Sequence, residues 1–106
     1  MKQGIRNMTN VQIDYSETDT KGRYVATTPE AEGEAELTLS KVTPKLIIAD
    51  HTFVPDSMRG MGVARLLADR LIADARERGQ RIVPLCPFVR AHARKHRDEV
   101  EDVIQW

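Results

Sequence analysis

Little in this sequence pulls it toward an extreme, and each shortage excludes something. There is one cysteine, Cys86, so no internal disulfide framework exists and a reducing compartment is expected. Aromatic residues make up only 5% of the chain, too few for the stacking platforms that hold single-stranded nucleic acid. The formal net charge is zero, so no global field draws the chain onto nucleic acid or an anionic membrane. No apolar run approaches the roughly 20 residues of a membrane span. The segment Met1 to Arg6 is not followed by an apolar stretch of signal-peptide length. A cytoplasmic protein with no nucleic-acid or membrane partner, a monomer or homodimer, is the expectation.

What is present describes one globular domain. A chain of 106 residues with 41% hydrophobic and 30% charged content holds a single modest core. Residues 1–9 are polar and read as a flexible N-terminus, which leaves 10–106 as the domain. Acidic residues such as Glu30, Glu32, Glu34 and Glu36 crowd the first half, and basic ones such as Arg65, Arg70, Arg76 and Arg90 crowd the second. Most of these are solvated faces, but the basic half suits a polyanionic ligand and the acidic half a cationic one.

Apolar periodicity orders the elements. Val11, Ile13 and Tyr15 alternate with polar neighbours, as do Ala35, Leu37 and Leu39, and each set predicts a half-buried strand. Asp19 to Gly22 offers a turn into a β-prone stretch ending at Thr28, and Ala31-Glu32-Gly33 reads as a break. Val42-Thr43-Pro44 leads into a fourth strand from Lys45. There, strict alternation puts Ile47, Ala49, His51 and Phe53 on one face and Leu46, Ile48, Asp50, Thr52 and Val54 on the other. Both faces are largely apolar, so this strand is expected to be covered on each side. Val63, Leu66, Leu67, Leu71 and Ala75 recur at helical spacing, predicting a helix from about Arg59 to Arg78 that stops at Gly79. Arg81 to Leu85 follows as a fifth strand, Phe88 to Lys95 as a short basic helix, and Asp98 to Trp106 as a final turn or two with Trp106 as a core plug. The fold class is α+β: an antiparallel meander of four strands, then a parallel strand-helix-strand crossover, with helices on the faces.

The informative stretch is Thr52 to Ala64, between the fourth strand and the long helix. Gly60 and Gly62 let helix-start amides approach a ligand closely, and those amides carry the positive end of the helix dipole, an arrangement that binds phosphate. No Gly-Lys-Ser/Thr follows, so this is not a Walker loop, and the third glycine of the dinucleotide fingerprint is missing. Ligands in such sheets sit at the carboxyl ends of parallel strands, which brings Val54, the 59–64 loop and Cys86 to one edge, with His51 within reach.

Two side chains there carry candidate chemistry. Cys86 ends the fifth strand ahead of Pro87; it reads either as an inert buried thiol or as a thiolate favoured by the basic segment that follows. His51 reads either as a hydrogen-bonded core residue or as a general base, its unperturbed pKa near 6.5 suiting proton removal from an amine. His92 and His96 have a zinc-like spacing, but without more cysteines or a His-Glu-x-x-His pattern no metal is expected.

Arg59-Gly60-Met61-Gly62-Val63-Ala64 matches the (Gln or Arg)-x-x-Gly-x-(Gly or Ala) acetyl-CoA loop of the GNAT superfamily of N-acetyltransferases. Together with His51 to Pro55 and Pro84-Leu85-Cys86-Pro87-Phe88-Val89, it makes residues 10–106 resemble the short, single-domain GNAT proteins that carry a histidine and a cysteine. The resemblance implies a sheet splayed between strands four and five, with acetyl-CoA as cosubstrate. Backbone groups of Val54 would pair with the pantetheine arm, and Arg59, Gly60, Met61, Gly62, Val63 and Ala64 would cradle the diphosphate. Phe53 and Phe88 are the flanking cofactor-binding candidates. His51 and Cys86 are the implied catalytic pair, with His51 as base and Cys86 as acyl-accepting nucleophile for transfer to an amine. The alternative is a CoA-binding module that transfers nothing. Larger relatives insert helices between their first two strands to shape the acceptor site; Thr18 to Lys21 leaves room only for a turn, so that site is expected to be open or completed by a partner.

Overall fold

Residues 10–106 are described by a computed structural model, and the flexible segment expected over residues 1–9 lies outside them. Five strands lie in sequence order: β1 (Gln12–Glu17), β2 (Lys21–Thr28), β3 (Ala31–Thr43), β4 (Leu46–Phe53) and β5 (Arg81–Pro84). The first three pairings are antiparallel, and β4 pairs with β5 in parallel through the helix α1 (Val63–Arg78). Helices α2 (Pro87–Lys95) and α3 (Arg97–Val100) complete the chain.

The alternating residues form the core as periodicity demands. Tyr24, Ala26, Leu37, Leu39, Ile47 and Ala49 are buried on one sheet face, and α1 lays Val63, Leu67, Leu71, Ile72 and Ala75 against them. Each fully buried leucine contributes roughly 2 kcal/mol, so this apolar stripe holds α1 to the sheet. Tyr24 carries a polar tip in that layer, and its hydroxyl donates to Asp74 Oδ2 of α1 at 2.7 Å. Burial first, and that hydrogen bond second, push the Tyr24 phenol pKa above its ordinary value.

The opposite face is polar. Arg23 Nε pairs with Glu36 Oε1 at 2.7 Å, Lys21 Nζ donates to Ser40 Oγ at 2.8 Å, and Ser40 Oγ donates to Asp50 Oδ2 at 2.6 Å. Helices α1 and α2 pack on the same side, so among the described residues no helix covers this second face. The expectation that β4 is covered on both sides is therefore corrected. Its apolar Leu46 and Ile48 are only half-buried.

Two boundaries and one side-chain placement also differ from the reading of the sequence. Ala31, Glu32 and Gly33 belong to β3, and the chain turns one step earlier at Pro29, which cannot donate to a ladder. Helix α1 starts at Val63 rather than near Arg59, because Gly60 and Gly62 both hold positive φ, 83° and 75°, where a right-handed helix cannot run. A single 3₁₀ turn, Asp56–Met58, precedes them. At the C-terminus Val100, Val103 and Ile104 are buried and Ile104 bridges Ile82 in parallel, but Trp106 is 47% exposed. It is no core plug: the Arg97 guanidinium lies over its ring, 4.5 Å from the centroid.

Candidate active site

The site begins where β4 and β5 part. Their pairing ends at Ala49 opposite Pro84. Leu85 N–H turns back to Val83 O at 3.0 Å, and Cys86 N–H makes a last link to Ala49 O at 2.8 Å. Beyond that link β4 continues along β3 alone while the other branch turns into α2. Pro87 suits both jobs, since it has no N–H to pair and its fixed φ fits the first turn of a helix. The fork expected between strands four and five is therefore present.

A bulge at the mouth of the fork re-aims the side chains of β4. Leu39 pairs with Ala49, but Thr38 pairs with His51, so Asp50 is the extra residue. From there the alternation is reversed. His51 and Phe53 join Asp50 on the helix-free face, opposite Thr38 and Glu36, whereas Thr52 falls opposite Leu37 on the helix-covered face. The expectation that His51 and Phe53 share a face with Ile47 and Ala49 is corrected by this one inserted residue.

Cys86 consequently meets Thr52, not His51. The thiol is buried, and its Sγ lies 3.1 Å from Thr52 Oγ1. His51 is exposed on the other side of the sheet. The two residues expected to act as a pair are thus on opposite faces at the same fork.

The helix-covered side of the fork opens into a cleft of about 480 Å³ lined by Thr52, Val54, Met58, Arg59, Gly60, Gly62, Val63, Ala64, Arg65 and Phe88. Met58, Arg59 and Met61 amides are spent within the 3₁₀ turn and the loop, on Pro55 O, Asp56 O and Met58 O. The first helical bond is Leu66 N–H to Gly62 O at 3.2 Å, and no side chain caps the helix. Among the described residues the amides of Gly62, Val63 and Ala64 therefore have no protein acceptor, and they lie where the helix dipole is most positive. A side chain at Gly60 would meet nothing within 4 Å, so the wall of the cleft is open there as well.

Of the expected cofactor-binding residues, Val54, Arg59, Gly60, Gly62, Val63, Ala64 and Phe88 come together around this cleft. Phe53 and Met61 do not. Phe53 is 49% exposed on the helix-free face, and Met61 packs against the core. Thr52, Met58 and Arg65 line the cleft without having been singled out. Arg65 directly follows the matched loop and was within reach of the motif, but the place of Thr52 depends on the bulge. His92, read for its spacing to His96, instead bonds Asp69 Oδ1 of α1 at 2.9 Å.

Residues 23–103 match the family model described as GCN5-related N-acetyl-transferase. The chain belongs to the GCN5-related N-acetyltransferase family. Its fold is also similar to the NMR solution structure of a GCN5-like N-acetyltransferase candidate from Staphylococcus aureus, with a TM-score of 0.61 and 27% identity over 95% of this chain and 91% of that one. No curated protein matches. As a GCN5-related N-acetyltransferase the chain is an enzyme of acetyl transfer, and the family in general uses acetyl-CoA. No helix among the described residues is long and apolar enough to cross a membrane.

Proposed function

We propose that this chain transfers the acetyl group of acetyl-CoA to an amine, with the two substrates meeting through the fork from opposite faces of the sheet. The observation that carries this is the uncapped start of α1 at the fork: three consecutive amides without acceptors, beside a cleft continuous with Thr52 and Val54. A diphosphate suits those amides in charge and geometry. Val54, Met58 and Phe88 offer apolar surface for the pantetheine arm.

When bound, acetyl-CoA supplies the acetyl group as a thioester: the amine nitrogen bonds to the carbonyl carbon, the C–S bond breaks, and CoA departs as a thiolate that takes up a proton from water. Gly62, Val63 and Ala64 hold the diphosphate through their amides, and Val54 backbone groups align the arm toward the fork. His51 takes a proton from the attacking amine on the helix-free face. The Val54 N–H donates to the carbonyl oxygen as negative charge grows there.

Burial of Cys86 against Thr52 favours direct transfer over a Cys86 relay, since a thiol must be exposed before it can attack a thioester. The relay would move the acetyl group onto Cys86 Sγ with release of the CoA thiol, then onto the amine.

Release of CoA thiol from acetyl-CoA, in the presence of a lysine peptide or a simple primary amine, tests this reading. His51→Gln is expected to slow release by about 10²–10⁴-fold while leaving acetyl-CoA affinity unchanged. Unaltered release would remove His51 from the chemistry. Cys86→Ser is expected to retain turnover. Loss of turnover in that variant, together with an acetyl adduct on Cys86 of the wild type, would establish the relay instead.

A further inference from the structure

The cleft does not stop at the diphosphate loop. Arg65 lines it and also lines a second hollow of about 260 Å³ on the far side of the same helical turn, between α1, α2 and α3. The other charged groups of that hollow are already engaged. His92 Nε2 lies 2.9 Å from Asp69 Oδ1, His96 Nδ1 lies 3.5 Å from Glu99 Oε1, and Arg76 Nε lies 2.8 Å from Asp102 Oδ2. Arg59, Arg70 and Arg76, before and along α1, each hold a carboxylate; among the described residues Arg65 holds none. An exposed cation in the first turn of a helix is also unfavourable with the dipole, so local stability does not explain it.

The covalent structure of coenzyme A supplies a partner. Its diphosphate joins the pantetheine arm to an adenosine that bears a 3′-phosphate. If the arm runs from the Gly62 amides to the fork, the nucleotide must leave them in the other direction. Arg65 stands one residue past the amides assigned to the diphosphate, roughly 4–5 Å along the axis from Gly62, within reach of a flexible arginine. On the cleft side, next to His92 of the second hollow, stands Phe88. Its ring lies nearly parallel to that of His92, with centroids 6.2 Å apart and 16° between planes, and it presents a flat apolar surface at the cleft.

We propose that Arg65 binds the 3′-phosphate of coenzyme A, so that the chain discriminates acetyl-CoA from its 3′-dephospho form. This rests on the acetyl-CoA reading above. A guanidinium suits a phosphate better than an ammonium does, because it donates two parallel hydrogen bonds.

Calorimetric titration of wild type, Arg65→Gln and Arg65→Lys with acetyl-CoA and with acetyl-dephospho-CoA is the test. In the wild type, removing the 3′-phosphate is expected to weaken binding about tenfold or more, the scale of a charge-assisted pair. Arg65→Gln is expected to bind acetyl-CoA that much more weakly, with little further loss on removing the phosphate, and Arg65→Lys to fall between. The proposal is overturned if Arg65→Gln still discriminates as strongly as the wild type, or if the wild type binds both ligands equally; either result leaves the acetyl-CoA site standing. Failure of the wild type to bind either ligand would overturn the proposal and the acetyl-CoA reading together.

Discussion

Helix α1 has a glycine in the left-handed region at each end, Gly62 with φ 75° and Gly79 with φ 69°, yet the two ends are built to opposite rules. At the C-terminus Gln80 N–H reaches back to Ala75 O at 2.8 Å and Gly79 N–H to Arg76 O at 3.3 Å, a Schellman closure that occupies the last carbonyls. Arg76 and Arg78 complement the dipole there. At the N-terminus there is no capping side chain and no acidic residue in the first turn, and Arg65 stands against the dipole. Glycine in place of a capping side chain costs roughly a few tenths of a kcal/mol, and a cation set against the dipole adds about 0.3–1 kcal/mol. That cost is concentrated on the turn that borders the fork, where a bound anion would offset it. One end serves stability; the other is the end we propose for the ligand.

The same contrast orders what substitutions should do. Gly62→Asp places a carboxylate beside the open amides and has the largest expected effect: acetyl-CoA affinity falls by about 30-fold or more, roughly 2 kcal/mol, well beyond the stability cost of about 1 kcal/mol that the positive φ of this position imposes. A normal affinity in a folded Gly62→Asp protein would erase the distinction between the ends. Gly79→Ala acts in reverse. A Cβ there meets nothing within 4 Å, so the penalty comes from the positive φ alone. Stability should drop by about 1 kcal/mol in denaturant titration, and acetyl-CoA affinity should not move.

Tyr24 ties the C-terminal half of α1 to the sheet through Asp74, and its raised pKa gives that tie a pH dependence. The unfolded phenol ionises near 10.0 and the folded one above it. Stability from this group is therefore complete below pH 10 and is lost as pH rises through the folded value. Tyr24→Phe should start about 1 kcal/mol less stable and lose less between neutral and alkaline pH, as urea midpoints would record. Tyr15 accounts for a remaining share. Its phenol is pushed up to about 12, first by burial and then by Glu17.

The smallest effect belongs to Arg76, which bonds Asp102 and Glu99 O across the C-terminal segment. Its guanidinium holds the Asp102 carboxyl below its ordinary value. The resulting stability is present above the unfolded carboxylate pKa and is lost as pH falls through the folded one. Arg76→Gln should flatten that acid limb slightly, and added salt should shrink the difference because the pair is exposed.

Strands and helices were legible because their apolar residues keep period. Leu37 and Leu39, or Leu67 and Leu71, name their buried faces without help. The turn into α1 was legible because Gly60 and Gly62 leave few conformational alternatives. The face of His51 was not, because it was read from unbroken alternation through β4, while its pairing with Cys86 came from the family resemblance. One extra residue, Asp50, turns His51 and Phe53 outward and brings Thr52 to the thiol. Nothing in the local sequence of Ala49-Asp50-His51 marks a bulge, since neither glycine nor proline is present. The His92–Asp69 contact was hidden for a different reason: it joins helices 23 residues apart, whereas the i,i+4 spacing to His96 suggested a local role. Trp106 misled through size alone, since a large ring can rest on the surface under a cation.

The most direct measurement is an amide NMR titration with acetyl-CoA, following each backbone N–H of α1 and its flanking loops. The account predicts that Gly62, Val63 and Ala64 shift together and saturably, while Gly79 and Gln80 at the closed end stay in place. Saturable binding with those three amides unmoved would contradict it.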